Sequence, residues 1–173
     1  MKITTELLRK IIKEHKIKHI ISFHRNIKRA KDFRDLNDEV NKLGGDFGFV
    51  HSYHISGKDS TGKRSEVLNR FVYEEPSLIT NARCLTEGVD IPEVDAVLFA
   101  DPKQSKVDIV QAAGRALRVA PNKEFGYIIL PIVIEGGDNS SIQEDAFKQI
   151  ITVLSALGVS DERIIAEFQK IAQ

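Results

Sequence analysis

What most limits the fold of this chain is a polar stripe on a helix that follows two short apolar runs. Residues 78–80 (Leu-Ile-Thr) and 96–100 (Ala-Val-Leu-Phe-Ala) are each bounded by polar or turn residues. They are too short for core helices and read as buried strands. A helix then opens near Val107 and carries Gln111, Gly114, Arg115 and Arg118. Positions i, i+3, i+4 and i+7 share one helical face. Two arginines, a glutamine and a glycine cannot form a core face, whereas Ile109, Val110, Ala113, Ala116 and Leu117 on the other side can. Guanidinium groups one turn apart suit a phosphate chain, because they are always charged and present rigid forks of donors. Gly114 lets a ligand or a foreign backbone come close to the helix. The plain alternative is a solvated arginine pair on an amphipathic helix.

The rest of the chain alternates strand and helix. Apolar spacing predicts a helix over 4–16 with Leu7, Leu8, Ile11 and Ile12 inward, then a strand over 18–23. His24, Arg25 and Asn26 follow that strand, at the end where open α/β sheets bind ligands. A helix over 27–43 turns Ala30, Phe33, Leu36, Val40 and Leu43 inward and stops at Gly44-Gly45. Alternation predicts a second strand over 47–55, and a helix bearing Arg64, Leu68 and Phe71 ends at Glu74-Glu75-Pro76. The third strand, 77–80, delivers Asn81 and Arg83 to its carboxyl end. A last strand over 127–134 contains Pro131, a sign of an edge or bend, and two helices follow, over 141–157 and from Ser160 onward. Such alternation implies an α/β fold, a mainly parallel sheet with helices on both faces.

One segment imitates a phosphate-binding loop. Gly57-Lys58-Asp59-Ser60-Thr61-Gly62-Lys63-Arg64 lies between a strand and a helix and nearly matches Gly-x-x-x-x-Gly-Lys-Ser/Thr. The hydroxyl that should follow the lysine to hold Mg²⁺ is replaced by Arg64, with Ser65 one residue late. The Asp101 that closes the 96–100 run is followed by Pro102 and makes a poor acidic partner for such a loop. A nucleotidase built on Lys63 therefore stands as an alternative only.

Composition excludes some classes. The chain has 173 residues, 42% of them hydrophobic and 29% charged, which suits one soluble domain. No apolar run approaches a membrane span, and Lys2, Glu6, Arg9 and Lys10 interrupt any leader-like start. The single cysteine, Cys84, fits a small core residue in a reducing, cytoplasmic setting. Histidine and cysteine show no metal-ligand spacing. Net charge is zero, but residues 1–34 hold 11 Lys and Arg against three acids, while the remainder holds 14 against 22. The basic third could follow a nucleic-acid backbone or be solvated helix faces.

The segment Gln111-Ala112-Ala113-Gly114-Arg115-Ala116-Leu117-Arg118 resembles motif VI, Gln-x-x-Gly-Arg-x-x-Arg, of superfamily 2 helicases and translocases. Asn81-Ala82-Arg83-Cys84-Leu85-Thr86-Glu87-Gly88-Val89-Asp90-Ile91-Pro92 resembles their motif V, and the two stand in the family order with one strand between. The 18–23 strand with its following loop resembles motif IV. The wording around motif V is similar to the helicase-like part of type ISP restriction–modification enzymes.

This resemblance implies a RecA-like C-terminal lobe at 18–135, after an N-terminal helix at 1–17 and before a helical extension at 136–173. It implies ATP shared with a first RecA-like lobe in cis, which carries the phosphate loop and most of the Mg²⁺ site. Arg115 and Arg118 would meet the γ-phosphate, with Gln111 orienting or sensing the nucleotide. Gly88, Asp90 and Gly114 would lie on the nucleotide side. His24, Arg25, Asn81, Arg83 and Arg64 would lie near nucleic acid, taken as double-stranded DNA, with no membrane involved. The sequence lacks the Thr-Asp pair of DEAD-box proteins near motif V, so their contacts do not carry over directly. The fragment alone is expected to be inactive. A retired RecA-like module that only binds nucleic acid or protein is the remaining alternative.

Overall fold

A computed structural model describes residues 2–44, 48–82, 93–101, 106–116, 123, 125–130 and 151–158, with side chains from Thr5 onward and not at 106–108, 115 or 116. The elements are α1 (Lys2–His15), β1 (His19–Phe23), α2 (Ile27–Leu43), β2 (His51–Ile55), α3 (Thr61–Tyr73), β3 (Ser77–Asn81), β4 (Ala96–Phe99), α4 (Lys106–Ala116) and β5 (Tyr127–Ile129). Residues 151–158 are also helical. Among the described residues the strands form one sheet in the order β2-β3-β1-β4-β5. Every neighbouring pair is parallel.

All residues of β1, β3 and β4 are buried, as expected of strands covered on both faces. Side-chain alternation divides them between two cores. Ile21, Phe23, Ile79, Val97 and Phe99 pack with Phe71 of α3, with Ile109, Ala112 and Ala113 of α4, and with Val153, Ala156 and Leu157. On the other face Ile20, Leu78, Ala96 and Leu98 pack with Leu8 and Ile12 of α1 and Phe33 of α2. The chain first winds from β1 out to β2 and back to β3. It then crosses β1 and winds outward through β4 to β5. Connections from β1 and β4 therefore diverge in opposite directions, a topological switch point at their carboxyl ends.

Local chemistry explains most boundaries. Asn26 caps α2 by accepting the Arg29 N–H at 2.9 Å, and Gly44, at φ 63°, follows its last residue. Ser60 caps α3 through the Lys63 N–H, and Glu74 closes that helix ahead of Pro76. Lys16 takes φ 53° after α1, and the Ile17 N–H reaches back to the Ile12 carbonyl at 3.0 Å.

Three expectations need correction. Leu43 is 74% exposed, because the buried row of α2 runs Ala30, Phe33, Asn37, Val40 and would next reach Gly44. Leu7 is likewise exposed, since the inward row of α1 is Thr5, Leu8, Arg9 and Ile12. The second strand begins at His51 instead of 47: Gly48 at φ 70° breaks the extended path, and Phe49 is exposed, edge-on to the His51 ring. Expected segments at 131–134, 141–150 and from Ser160 onward lie outside the described residues.

The buried Arg9 is the polar fastener of the α1–α2 face. Its guanidinium donates to the Gly48 carbonyl at 2.6 Å, to the Asn37 carbonyl at 2.9 Å and to Asn41 Oδ1 at 3.0 Å. Asn41 in turn donates to the Val50 carbonyl and accepts the Val50 N–H. Burial lowers the pKa of Arg9 from its usual value, and the Asp38 charge opposes that shift. Removing the guanidinium leaves these acceptors dry. Arg9→Met should cost about 2–4 kcal/mol in urea unfolding. Lys10→Met, on the exposed face of the same turn, should change stability by less than about 0.5 kcal/mol.

Candidate functional site

The parallel register aligns one rim of the sheet. Phe23 is level with Asn81 and with Phe99, and Ile55 is level with Asn81. The segments from His24, Ser56, Ala82 and Ala100 therefore leave from a common edge. This is the carboxyl edge of the strands, where ligands bind in open α/β sheets.

At the β1–β4 switch point the rim is ionic and buried. Asp101 is 5% exposed. Its Oδ2 accepts the Arg25 backbone N–H at 3.1 Å, and its Oδ1 accepts Arg29 Nη1 at 2.5 Å. His24 lies beneath, with Nε2 3.0 Å from Ser22 Oγ and Nδ1 3.9 Å from Asp101 Oδ2. Burial pushes the His24 pKa from 6.5 down to about 4, outweighing the pull of Asp101, while His54 and Arg29 lower it further. The imidazole is therefore neutral at pH 7. Expected as a surface phosphate contact, His24 instead supports the loop from below. Arg25 and Asn26 are exposed above it.

Asn81 is fully buried, and its carbonyl accepts the His24 N–H at 2.9 Å. Beside it, His54 Nδ1 is 3.0 Å from Thr80 Oγ1. Burial lowers the His54 pKa, with the charges of Lys31 and Arg34 on α2 acting in the same direction. Arg64 is half-buried on the first turns of α3.

The loop that imitates a phosphate cradle is filled by its own carboxylate. Asp59 Oδ2 accepts the Ser56 N–H at 2.7 Å and the Ser56 hydroxyl at 2.9 Å, and Asp59 Oδ1 accepts Lys63 Nζ at 2.7 Å. The Lys63 bond, with help from Ser56, lowers the Asp59 pKa to about 2. The lysine and amide that would hold a phosphate are occupied by an internal anion.

On α4 the faces separate as the periodicity requires. Ile109, Ala112 and Ala113 are fully buried, while Gln111 and Gly114 are exposed. A Cβ added at Gly114 would meet no atom of the described residues within 4 Å. Arg115 continues the same helix, but its side chain lies outside the described residues, as do Arg118, Arg83, Gly88 and Asp90 entirely. Motif reasoning missed Asp101, Arg29, Ser22, His54 and Thr80 as parts of the rim. Asp101 did carry a signal, as an acid directly after a buried apolar run. Among the described residues, no group of three or more His, Cys, Asp or Glu could hold a metal ion. No described helix is long and apolar enough to cross a membrane.

Comparison with known proteins points the same way. The model of the helicase conserved C-terminal domain matches residues 3–120. An African swine fever virus protein described as a probable helicase is 32% identical over 148 residues, covering 83% of this chain and 16% of the viral protein. The DNA-bound structure of LlaBIII, described as an ATP-dependent Type ISP restriction-modification enzyme, matches with TM-score 0.76 and 35% identity. That match covers 91% of this chain and 11% of the enzyme. The C-terminal domain of the DEAD-box protein Dbp5 matches at TM-score 0.61 and 17% identity, over 96% of this chain and 89% of that domain, a likeness of fold. The chain thus spans under a fifth of the viral relative and of the restriction enzyme.

Buried neutral His24 makes the rim acid-sensitive. Unfolding releases the ring to its ordinary pKa of 6.5, against about 4 when folded. The unfolded state therefore binds the extra proton between those values. Stability due to this site is full above pH 6.5 and is lost as pH falls toward 4, by about 3 kcal/mol at most. His24→Gln should flatten that part of the stability–pH curve in urea titrations from pH 7 to 4. Residual slope should come from His19 and His54, whose pKa values burial also lowers.

Proposed function

Because this chain belongs to the helicase conserved C-terminal domain family, as the RecA-like second lobe of superfamily 2 helicases and translocases, we propose that it is one half of an ATP-driven motor acting on double-stranded DNA. The other half is a first RecA-like lobe in the same polypeptide, which binds ATP and holds most of the Mg²⁺ site. The lobe core runs over 18–135, with 1–17 packed before it and 136–173 as an extension. The parent works in the cytoplasm, in a restriction–modification setting. That setting is supported by 35% identity to the Type ISP enzyme across most of the chain.

One observation carries this reading. Among the described residues, the outward face of α4 is exposed at Gln111 and Gly114, while Ile109, Ala112 and Ala113 anchor the helix to the sheet. In the sequence, Arg115 and Arg118 follow Gln111 at i+4 and i+7, the spacing of one helical face, which supports counting them with that stripe. Among the described residues of the stripe, Gln111 and Gly114 are exposed and outside the core, which supports a face open to a ligand held by a neighbour.

In the assembled motor, ATP and Mg²⁺ supply the phosphoryl group and its partial charge neutralisation. Arg115 and Arg118 place guanidinium donors where negative charge grows on the transferring oxygens. Gln111 orients or senses the nucleotide. Gly88, Asp90 and Gly114 form the nucleotide side of the cleft. Arg25, Arg64 and Arg83 hold DNA phosphates, with His24 and Asn81 shaping the rim beneath them.

The test uses the longer protein that contains both lobes. Arg115→Ala or Arg118→Ala should lower DNA-stimulated ATP turnover by about 10³–10⁵-fold, with a much smaller change in KM for ATP. The isolated 173-residue chain should show no turnover. Unchanged activity in Arg118→Ala sinks the arginine assignment. Turnover by the isolated chain that Lys63→Ala abolishes would replace the half-motor with the phosphate-loop alternative.

A further inference from the structure

The switch point of this sheet, where a ligand would ordinarily sit, is filled by a side chain of the protein itself. The Asp101 carboxylate lies between the diverging connections of β1 and β4 and is 5% exposed. One oxygen holds the Arg25 backbone N–H and the other holds Arg29. Arg25 belongs to the β1–α2 connection and Arg29 to the first turn of α2, whereas Asp101 belongs to the connection that leads from β4 to α4. The two loops are joined further by the Ala100 N–H, which donates to the Phe23 carbonyl at 3.1 Å.

From this geometry we infer that Asp101 is a positioning residue for DNA capture: it fixes the Arg25 loop in its binding shape and ties that shape to the segment entering the arginine-bearing helix. The inference rests on the proposed DNA-driven motor and adds a residue that touches neither DNA nor nucleotide.

Three observations favour this role over a plain surface ion pair. First, the carboxylate is nearly inaccessible, while Arg29 is 47% exposed at its side chain, so the anion is the fixed member and the cation the one being placed. Second, Asp101 binds a main-chain N–H as well as a side chain, which fixes the loop's path and not merely a charge. Third, Asn26 caps α2 immediately after that N–H, so the short loop from His24 to Asn26 is held to Asp101 on one side and to the first turn of α2 on the other. Arg25 and Lys28 are left exposed above an ordered backbone. Preorganised phosphate contacts bind more tightly than loose ones because less ordering is needed on association.

The expected sign separates positioning from simple electrostatics. Removing one negative charge from a DNA-binding face should tighten binding if only net charge matters. If Asp101 positions the loop, removing it should weaken binding. The measurement is ATP turnover of the two-lobe protein as a linear DNA duplex is titrated, at two salt concentrations. Asp101→Asn should raise the half-saturating duplex concentration about tenfold, with turnover at saturation reduced far less. Arg29→Met, at a half-exposed position that tolerates substitution, should shift it in the same direction. The double variant should be no worse than Asp101→Asn alone, because the ion pair that Arg29→Met removes is already lost when the Asp101 charge is removed. Tighter or unchanged DNA dependence in Asp101→Asn overturns the inference, and so does strict additivity. If Asp101→Asn does not fold, an unchanged half-saturation in Arg29→Met overturns it by itself. Wild-type protein whose turnover ignores DNA overturns the motor proposal and this inference together. A DNA-stimulated wild type matched by both variants overturns the inference alone.

Discussion

The architecture depends on how β4 is fastened to β1. β4 lies along one side of the central strand, and a carboxylate at each end of it reaches β1 or its continuation. At the amino end Asp95 accepts the backbone N–H groups of Lys18 and His19 at 2.8 and 2.9 Å. Just past the carboxyl end, Asp101 accepts the N–H of Arg25. Between them the strands pair in register from Ile20 against Ala96 to Phe23 against Phe99, where the two phenyl rings stack at 6.0 Å. A parallel ladder leaves the N–H groups at its ends without strand partners, and buried N–H groups are costly when unpaired. Two acids remove that cost and forbid slippage. The shared rim, and everything proposed to happen there, follows from this register.

Sequence patterns revealed those features that depend on local chemistry. α2 begins and ends where the Asn26 cap and Gly44 place it, because both signals act within one turn. The parallel sheet was readable from strands of continuous apolar character alternating with helices, a consequence of burial on both faces. Ile109 and Ala113 pointed inward by spacing alone.

Features that depend on distant partners were not readable. Arg9 and Asn37 look like surface residues by type, and each is buried only because the other sits across the α1–α2 seam. Once polar residues occupy a buried row, apolar neighbours such as Leu7 and Leu43 are turned outward. Asp101 was misleading for a related reason. In sequence it reads only as a poor acidic partner for a phosphate loop, and its contacts to Arg25 and Arg29, more than 70 positions earlier, leave no trace in the local sequence. His24 pointed toward the surface only on the assumption that a polar residue after a strand stays wet. Ser22 and Asp101 make burial tolerable for it.

The protonation of His24 explains why Asp101 can serve the loop. A histidine 3.9 Å from a carboxylate would ordinarily gain a proton and capture the anion as an ion pair. Here burial dominates, and the ring is pushed to about 4. The desolvation cost therefore exceeds the attraction of the nearby acid, so the ring remains a neutral partner of Ser22. The negative charge of Asp101 is then not consumed beneath the rim. It stays available to Arg29 and to the Arg25 amide, the groups that shape the outward surface. The packing of His24 against Phe33 thus keeps the ring dry beneath the rim, while the carboxylate above it is held by Arg29 and the Arg25 amide.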